Sequence, residues 1–164
     1  MNITRLALQR QLAYVRKSGF FTLLKAAADK YDLPVAYVLA IASRETNMRH
    51  MLGDGDHGVG IIQIDIRYHE IAARMKADGT WKTQPGPLVD YGVKLLRTNY
   101  NWAQREWPQY GERGWRKIAA SAYNSGQGNT RKSVAEGDSD LRTTGDDYGK
   151  DVLARMEVLE DLLS

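Results

Sequence analysis

The sequence predicts a mainly α (α+β) domain, a helical body with one short β segment. Three observations predict it. Apolar residues recur at helical spacing over most of the 164 residues. Residues 49–60 break that pattern with Gly53, Gly55, Gly58 and Gly60. The stretch that follows, Gly60-Ile61-Ile62-Gln63-Ile64-Asp65, alternates and is β-branched, as a strand is. No repeat, low-complexity tract or linker interrupts the chain, so one domain over 1–164 is the economical reading.

Each element has its own signal. Residues 3–17 and 20–31 space Leu, Ala, Val and Phe as helices do. Pro34 suits the first turn of a helix running through Val35 to Glu45. Residues 67–77 read as a helix carrying Ile71, Ala72 and Met75, and Gly79 to Pro87 as a connector. A long amphipathic helix is expected over 88–106, with Leu88, Tyr91, Leu95 and Trp102. Residues 114–123 form a core helix with Trp115, Ile118, Ala119 and Ala122, which Gly126 and Gly128 break. A final helix is expected from about Asp146 to Leu163.

Composition excludes several classes. Apolar residues at 43% and charged residues at 26% describe an ordinary globular chain. A net charge of +3 favours polyanionic surroundings, but no Lys/Arg run marks a nucleic-acid arm. Cysteine is absent, which excludes disulfides, thiol catalysis and cysteine metal sites. No apolar stretch approaches the length of a membrane span. Arg16-Lys17, Gly19 to Leu24 and Ala26-Ala27-Ala28 imitate a secretory signal, but Lys25 interrupts the apolar part. The stretch reads as a helix, and synthesis without a signal peptide, in the cytoplasm, is expected.

Glu45 is the most informative residue. Helical steps place it on one stripe with Val38, Ile41 and Ala42. Desolvation there disfavours the charged form and raises the pKa. A carboxylic acid kept protonated near neutrality is what a general acid needs. The plainer reading is an acid that ends a helix and reaches solvent or pairs with Arg44.

The loop after Glu45 admits three readings. Gly53-Asp54-Gly55-Asp56-His57-Gly58 matches G-x-G-x-x-G, but a dinucleotide site needs a strand before it and a helix after it. Asp54, Asp56 and Asp65 imitate positions of a calcium loop, but Gly58 and Val59 stand where a ligand and a glycine belong. His50, His57 and His69 lack the spacing of a helical zinc pair. No metal or cofactor is expected. The third reading is a carboxylate constellation, with Glu45 on one wall of a cleft and Asp56 and Asp65 on the other. One protonated acid facing one ionised carboxylate is the arrangement for cleaving a glycosidic bond. As plainer alternatives, Asp56 forms a turn and Asp65 caps the next helix.

These residues resemble a known family. Ser43-Arg44-Glu45-Thr46 and Gly55-Asp56-His57-Gly58-Val59-Gly60-Ile61-Ile62-Gln63-Ile64-Asp65 resemble the catalytic region of goose-type lysozymes. Ser121-Ala122-Tyr123-Asn124-Ser125-Gly126 resembles the family's Ala-Tyr-Asn-Ala-Gly segment, shared with lytic transglycosylases. Thr143-Thr144-Gly145-Asp146-Asp147-Tyr148 and Asp151 to Arg155 resemble its C-terminal segment. Together the motifs span roughly residues 30–160.

The resemblance implies a lysozyme-like helical fold with a small β-sheet at the cleft. It implies cleavage of the β-1,4 bond between N-acetylmuramic acid and N-acetylglucosamine in peptidoglycan glycan strands. Glu45 would be the general acid, and Asp56 and Asp65 would position the attacking water. Gln63, His69, Tyr123, Asn124 and Tyr148 would contact substrate or line the cleft. The loop between Glu45 and Asp56 is shorter than in the bird enzymes, so Asp65 is the stronger candidate for the base. The missing disulfides, the weakly matched first 30 residues and the expected lack of a leader point to a bacterial or phage-type member; a monomer is the default expectation, acting on the wall after release or export.

Four other functions are weighed on the residues. A lytic transglycosylase would use Glu45 alone and give 1,6-anhydromuramyl products, and a chitinase-like variant would cut a related polymer. A wall-binding module would need no acid on an apolar stripe. A nucleic-acid binder is disfavoured by the weak charge and the acidic loop.

Overall fold

The computed structural model describes residues 3–164, and the first two residues of the expected 1–164 domain lie outside it. Nine α-helices and one three-stranded antiparallel sheet make up these described residues, in agreement with the mainly α expectation. Helix α1 (Arg5–Lys17) starts at Thr4, whose hydroxyl accepts from the amide of Ala7. Helix α2 (Phe20–Lys30) follows after Gly19.

Helix α3 (Val35–Thr46) is apolar on nearly all sides, and Ala36 to Ser43 are all buried. Such a helix belongs inside the protein. Pro34 stands one residue before its expected place, at the N-cap, where its carbonyl accepts from Tyr37 and Val38. Asn47 and Met48 take left-handed conformations and stop the helix directly after Glu45 and Thr46.

The glycine-rich loop is more ordered than its composition suggests. Strands β1 (Leu52–Gly53) and β2 (Gly58–Val59) pair as a hairpin within it. The strand expected over 60–65 is only β3 (Ile64–Asp65). Gly60 and Gln63 have positive φ and turn the chain, while Ile61 and Ile62 drop into the core. The Thr46 hydroxyl donates to Ile61 O at 2.8 Å, tying the end of α3 to this turn.

Helix α4 (Glu70–Asp78) begins three residues later than expected, because Tyr68 and His69 first fold back onto Asp65 O. The expected connector holds a short helix, α5 (Thr80–Thr83), and the start of α6 (Gly86–Glu106). Helix α7 (Gly111–Ser125) ends at Gly126, but Gly128 breaks nothing, for it lies inside α8 (Gln127–Ala135). Helix α9 (Tyr148–Leu163) closes the chain. Helix α9 packs on α3 and α7, and α6 packs on α7 and α2. None of the described helices is long and apolar enough to cross a membrane.

Candidate active site

A cleft of about 920 Å³ runs between the sheet side and the helical side of the molecule. Glu45, from the last turn of α3, lines it together with Asp65, Gln63, His69, Tyr123 and Asn124. Burial pushes the Glu45 carboxyl up to about 7, against the opposing pull of a Tyr148 hydrogen bond and of nearby Arg44. The Tyr148 hydroxyl donates to Glu45 Oε1 at 2.5 Å. That leaves Oε2 as the oxygen able to hold a proton for a ligand. Tyr148 does not itself line the cleft; it is buried, and burial followed by the Glu45 charge raises its own pKa.

Arg44 does not pair with Glu45, as the plainer sequence reading had it. It donates to Asp151 at 2.8 Å, Asp147 at 3.1 Å and the carbonyl of Thr144, and lies over the Tyr148 ring. The guanidinium is thus spent on α9 and the turn before it. Among the described residues Glu45 has no direct cationic partner, and burial keeps its pKa raised.

Asp65 is the chemical opposite. Its carboxylate takes Arg67 Nε at 3.0 Å, Arg67 Nη2 at 2.6 Å and the Arg67 amide at 2.8 Å. The hydrogen bonds from Arg67 hold it below the usual carboxylate range. It does not cap α4, whose N-cap position is His69. A turn closed on Arg67 takes the place of the cap.

Asp56 is the residue the structure does not bring to this constellation. It lies exposed in the hairpin turn with φ 69°, outside the cleft lining, and its carbonyl accepts from Lys76. The consecutive left-handed residues Asp54, Gly55 and Asp56 shape the turn, and it is Asp54 that lines the cleft. Arg67 bridges Asp54 at 2.9 Å and Asp65 at 2.6 Å. Two aspartates of the calcium-like pattern therefore do converge, but on a guanidinium.

The other expected contacts are partly occupied by the protein itself. Gln63 donates to Met51 O and Gly60 O, and its Oε1 rests where a Cβ on Gly53 or Gly58 would stand. Tyr123 donates to Ile62 O at 2.6 Å, which joins α7 to the sheet side across the cleft floor. Asn124 accepts from Thr144 N at 2.8 Å and donates to the Thr144 hydroxyl at 3.3 Å. His69 Nδ1 meets Tyr91 OH at 2.7 Å, and burial lowers its pKa.

The structure adds lining residues that sequence reasoning missed, among them Arg67, Tyr68, Asn99 and Gln127. For Arg67 no signal existed in the sequence, because it reaches Asp65 through a turn over 65–68 where a helix from 67 was expected. For Asn99 the signal was of the Glu45 kind, a polar residue on the buried stripe of α6. Gln127 donates to Asn99 Oδ1 at 3.1 Å, linking α8 to α6. No group of acids and histidines among the described residues is arranged to hold a metal.

Comparison with known proteins gives the family. The Lysozyme g family matches residues 9–161. Lysozyme g of Gallus gallus is 30% identical over 158 residues, covering 94% of this chain and 69% of that protein. Lysozyme g of Struthio camelus is 31% identical, but the chain spans only 63% of its length. Lysozyme g of Takifugu rubripes is 28% identical and 74% covered. A cleft lined by a buried Glu45 and an Arg67-paired Asp65, and a match over nearly the whole chain, lead to one conclusion: the chain belongs to the goose-type lysozyme family of glycoside hydrolases.

Proposed function

We propose that this protein is a peptidoglycan muramidase that cleaves the β-1,4 bond between N-acetylmuramic acid and N-acetylglucosamine with inversion. The observation that carries this reading is the opposite settings of two carboxyls lining one cleft: Glu45 is buried and pushed up to about 7, while Asp65 is hydrogen-bonded to Arg67 and held below the usual range. Glu45 donates its proton to the bridging oxygen as the bond from the muramyl C1 breaks. A water adds to C1 from the other face and gives its proton to Asp65. Proton return through solvent resets both groups. Asp56 has no part in this mechanism. In this reading the protein acts on the cell wall, reached after release or export.

A second reading rests on Arg67. Its hydrogen bonds reach both oxygens of Asp65, which weakens that group as a base. With Asp65 engaged, Glu45 alone would direct the muramyl 6-hydroxyl onto C1, as in a lytic transglycosylase. Digestion of purified peptidoglycan followed by mass spectrometry separates the two. Reducing muramic-acid ends support the muramidase; 1,6-anhydro ends, lighter by one water, overturn it. Binding without any cleavage supports a wall-binding module instead.

A further inference from the structure

We infer that Tyr68, backed by Arg67, is a sugar-stacking platform at the rim of the cleft and forms a glycan subsite beside Asp65. The inference rests on the glycan-cleaving reading above. Tyr68 is 78% exposed, the most exposed of the large hydrophobic side chains among the described residues. It alone of these lines the cleft, whereas Leu6, Tyr14, Met51, Tyr110 and Leu141 do not. An aromatic ring left this open gains the fold little, and at a concave site such a ring marks a ligand contact.

The ring is also held. The Arg67 guanidinium lies over one face at 5.8 Å from the ring centroid. That guanidinium is itself fixed by Asp65 and Asp54. The Tyr68 amide donates to Asp65 O at 3.2 Å, so backbone and ring are both referenced to the proposed base. An aromatic ring carries negative charge on its faces. The weakly positive C–H face of a pyranose is complementary to it, and the cation on the opposite face steadies the ring. No described residue bonds the Tyr68 hydroxyl, which is free to meet a sugar hydroxyl or N-acetyl group. The ligand class is therefore a β-1,4-linked N-acetyl hexosamine chain long enough to pass the rim.

The test uses the Glu45→Gln protein, which keeps the cleft but turns ligand over about 10²–10⁴-fold more slowly. Its affinity for the alternating N-acetylglucosamine–N-acetylmuramic acid hexasaccharide is measured by calorimetry, alone and combined with Tyr68→Ala or Tyr68→Trp. Loss of the stack should weaken binding roughly five- to tenfold in Tyr68→Ala, while Tyr68→Trp restores it. Binding within twofold after Tyr68→Ala, or an equal loss in Tyr68→Trp, overturns the platform. Failure of the Glu45→Gln protein itself to bind the hexasaccharide overturns the glycan reading on which it rests. Because Tyr68 is exposed, its replacement leaves the core untouched, and a thermal melt of each variant checks this.

Discussion

At Glu45, burial and hydrogen bonding pull in opposite directions. Desolvation raises the carboxyl to about 7, and the Tyr148 hydroxyl resists that rise by stabilising the anion. The acid is in its working form only below that value, so kcat/KM should fall as pH climbs through about 7. Tyr148→Phe removes the stabilising donor and should move this basic limb to higher pH; a purely structural effect would lower kcat with the limb in place. Glu45→Gln keeps the shape but cannot give up a proton, and should cut turnover by about 10²–10⁴-fold. The same variant reports on stability. The folded pKa lies above the ordinary 4.5, so between these values the folded state binds more protons than the unfolded one. Stability is therefore lost as pH rises through that window and is flat above it. Glu45→Gln should melt several °C above the parent at pH 8, at about 1.36 kcal/mol per pKa unit and 2–4 °C per kcal/mol, with the gap closing near pH 4. Asp65→Asn should slow hydrolysis less than Glu45→Gln does, and product analysis would reveal anhydro ends where transglycosylation fills in.

Among the elements, helix α9 sets the position of Tyr148, and it does so through Gly149. A Cβ there would stand 2.7 Å from Lys117 O and 2.7 Å from Ser121 Oγ, so α9 rests directly on the backbone of α7. Asp140, buried, accepts from the amides of Gly149 and Lys150 and caps the first turn of α9 from outside the helix. A carbonyl cannot swing aside as a side-chain end can. Gly149→Ala should therefore cost about 1–3 kcal/mol, seen as a lower Tm, and should reduce kcat because Tyr148 moves with its neighbour. The sheet is a different case. Its strands are two residues long, below the length at which period-2 alternation can be read. The helices were legible because each repeats its apolar stripe over several turns. The hairpin was hidden because Gln63, a polar residue from the following turn, fills the space that two glycines leave open.

Across the whole molecule, one buried polar network ties the site to the rest. Asp151 accepts from Arg44 at 2.8 Å and Arg155 at 2.8 Å; Arg155 donates to Ser43, and Ser43 donates to Gln11. Helices α1, α3 and α9 thus meet behind Glu45. Asp151 is shared by the buried Arg155 and the part-buried Arg44; without it Arg44 keeps Asp147, but Arg155 has no carboxylate partner among the described residues. Asp151→Asn should cost about 3–5 kcal/mol and lower Tm by about 10 °C in a thermal melt. If the network also holds Arg44 over Tyr148, the basic limb of the pH profile should shift in the same variant.

The sequence by itself determined the helical class, the buried stripe that carries Glu45 and the acids that follow it. These are local properties: helical period and burial can be counted along the chain, and a carboxyl on an apolar stripe stands out there. Only the tertiary structure decided that Asp54 and not Asp56 enters the cleft, that Arg67 holds Asp65 ionised, and that Arg44 serves α9 rather than Glu45. Each of those outcomes depends on where a turn aims a side chain or on a partner some hundred residues away. Coulombic and hydrogen-bond energies depend on distance in space, and the chain order of an acid and a base does not contain that distance.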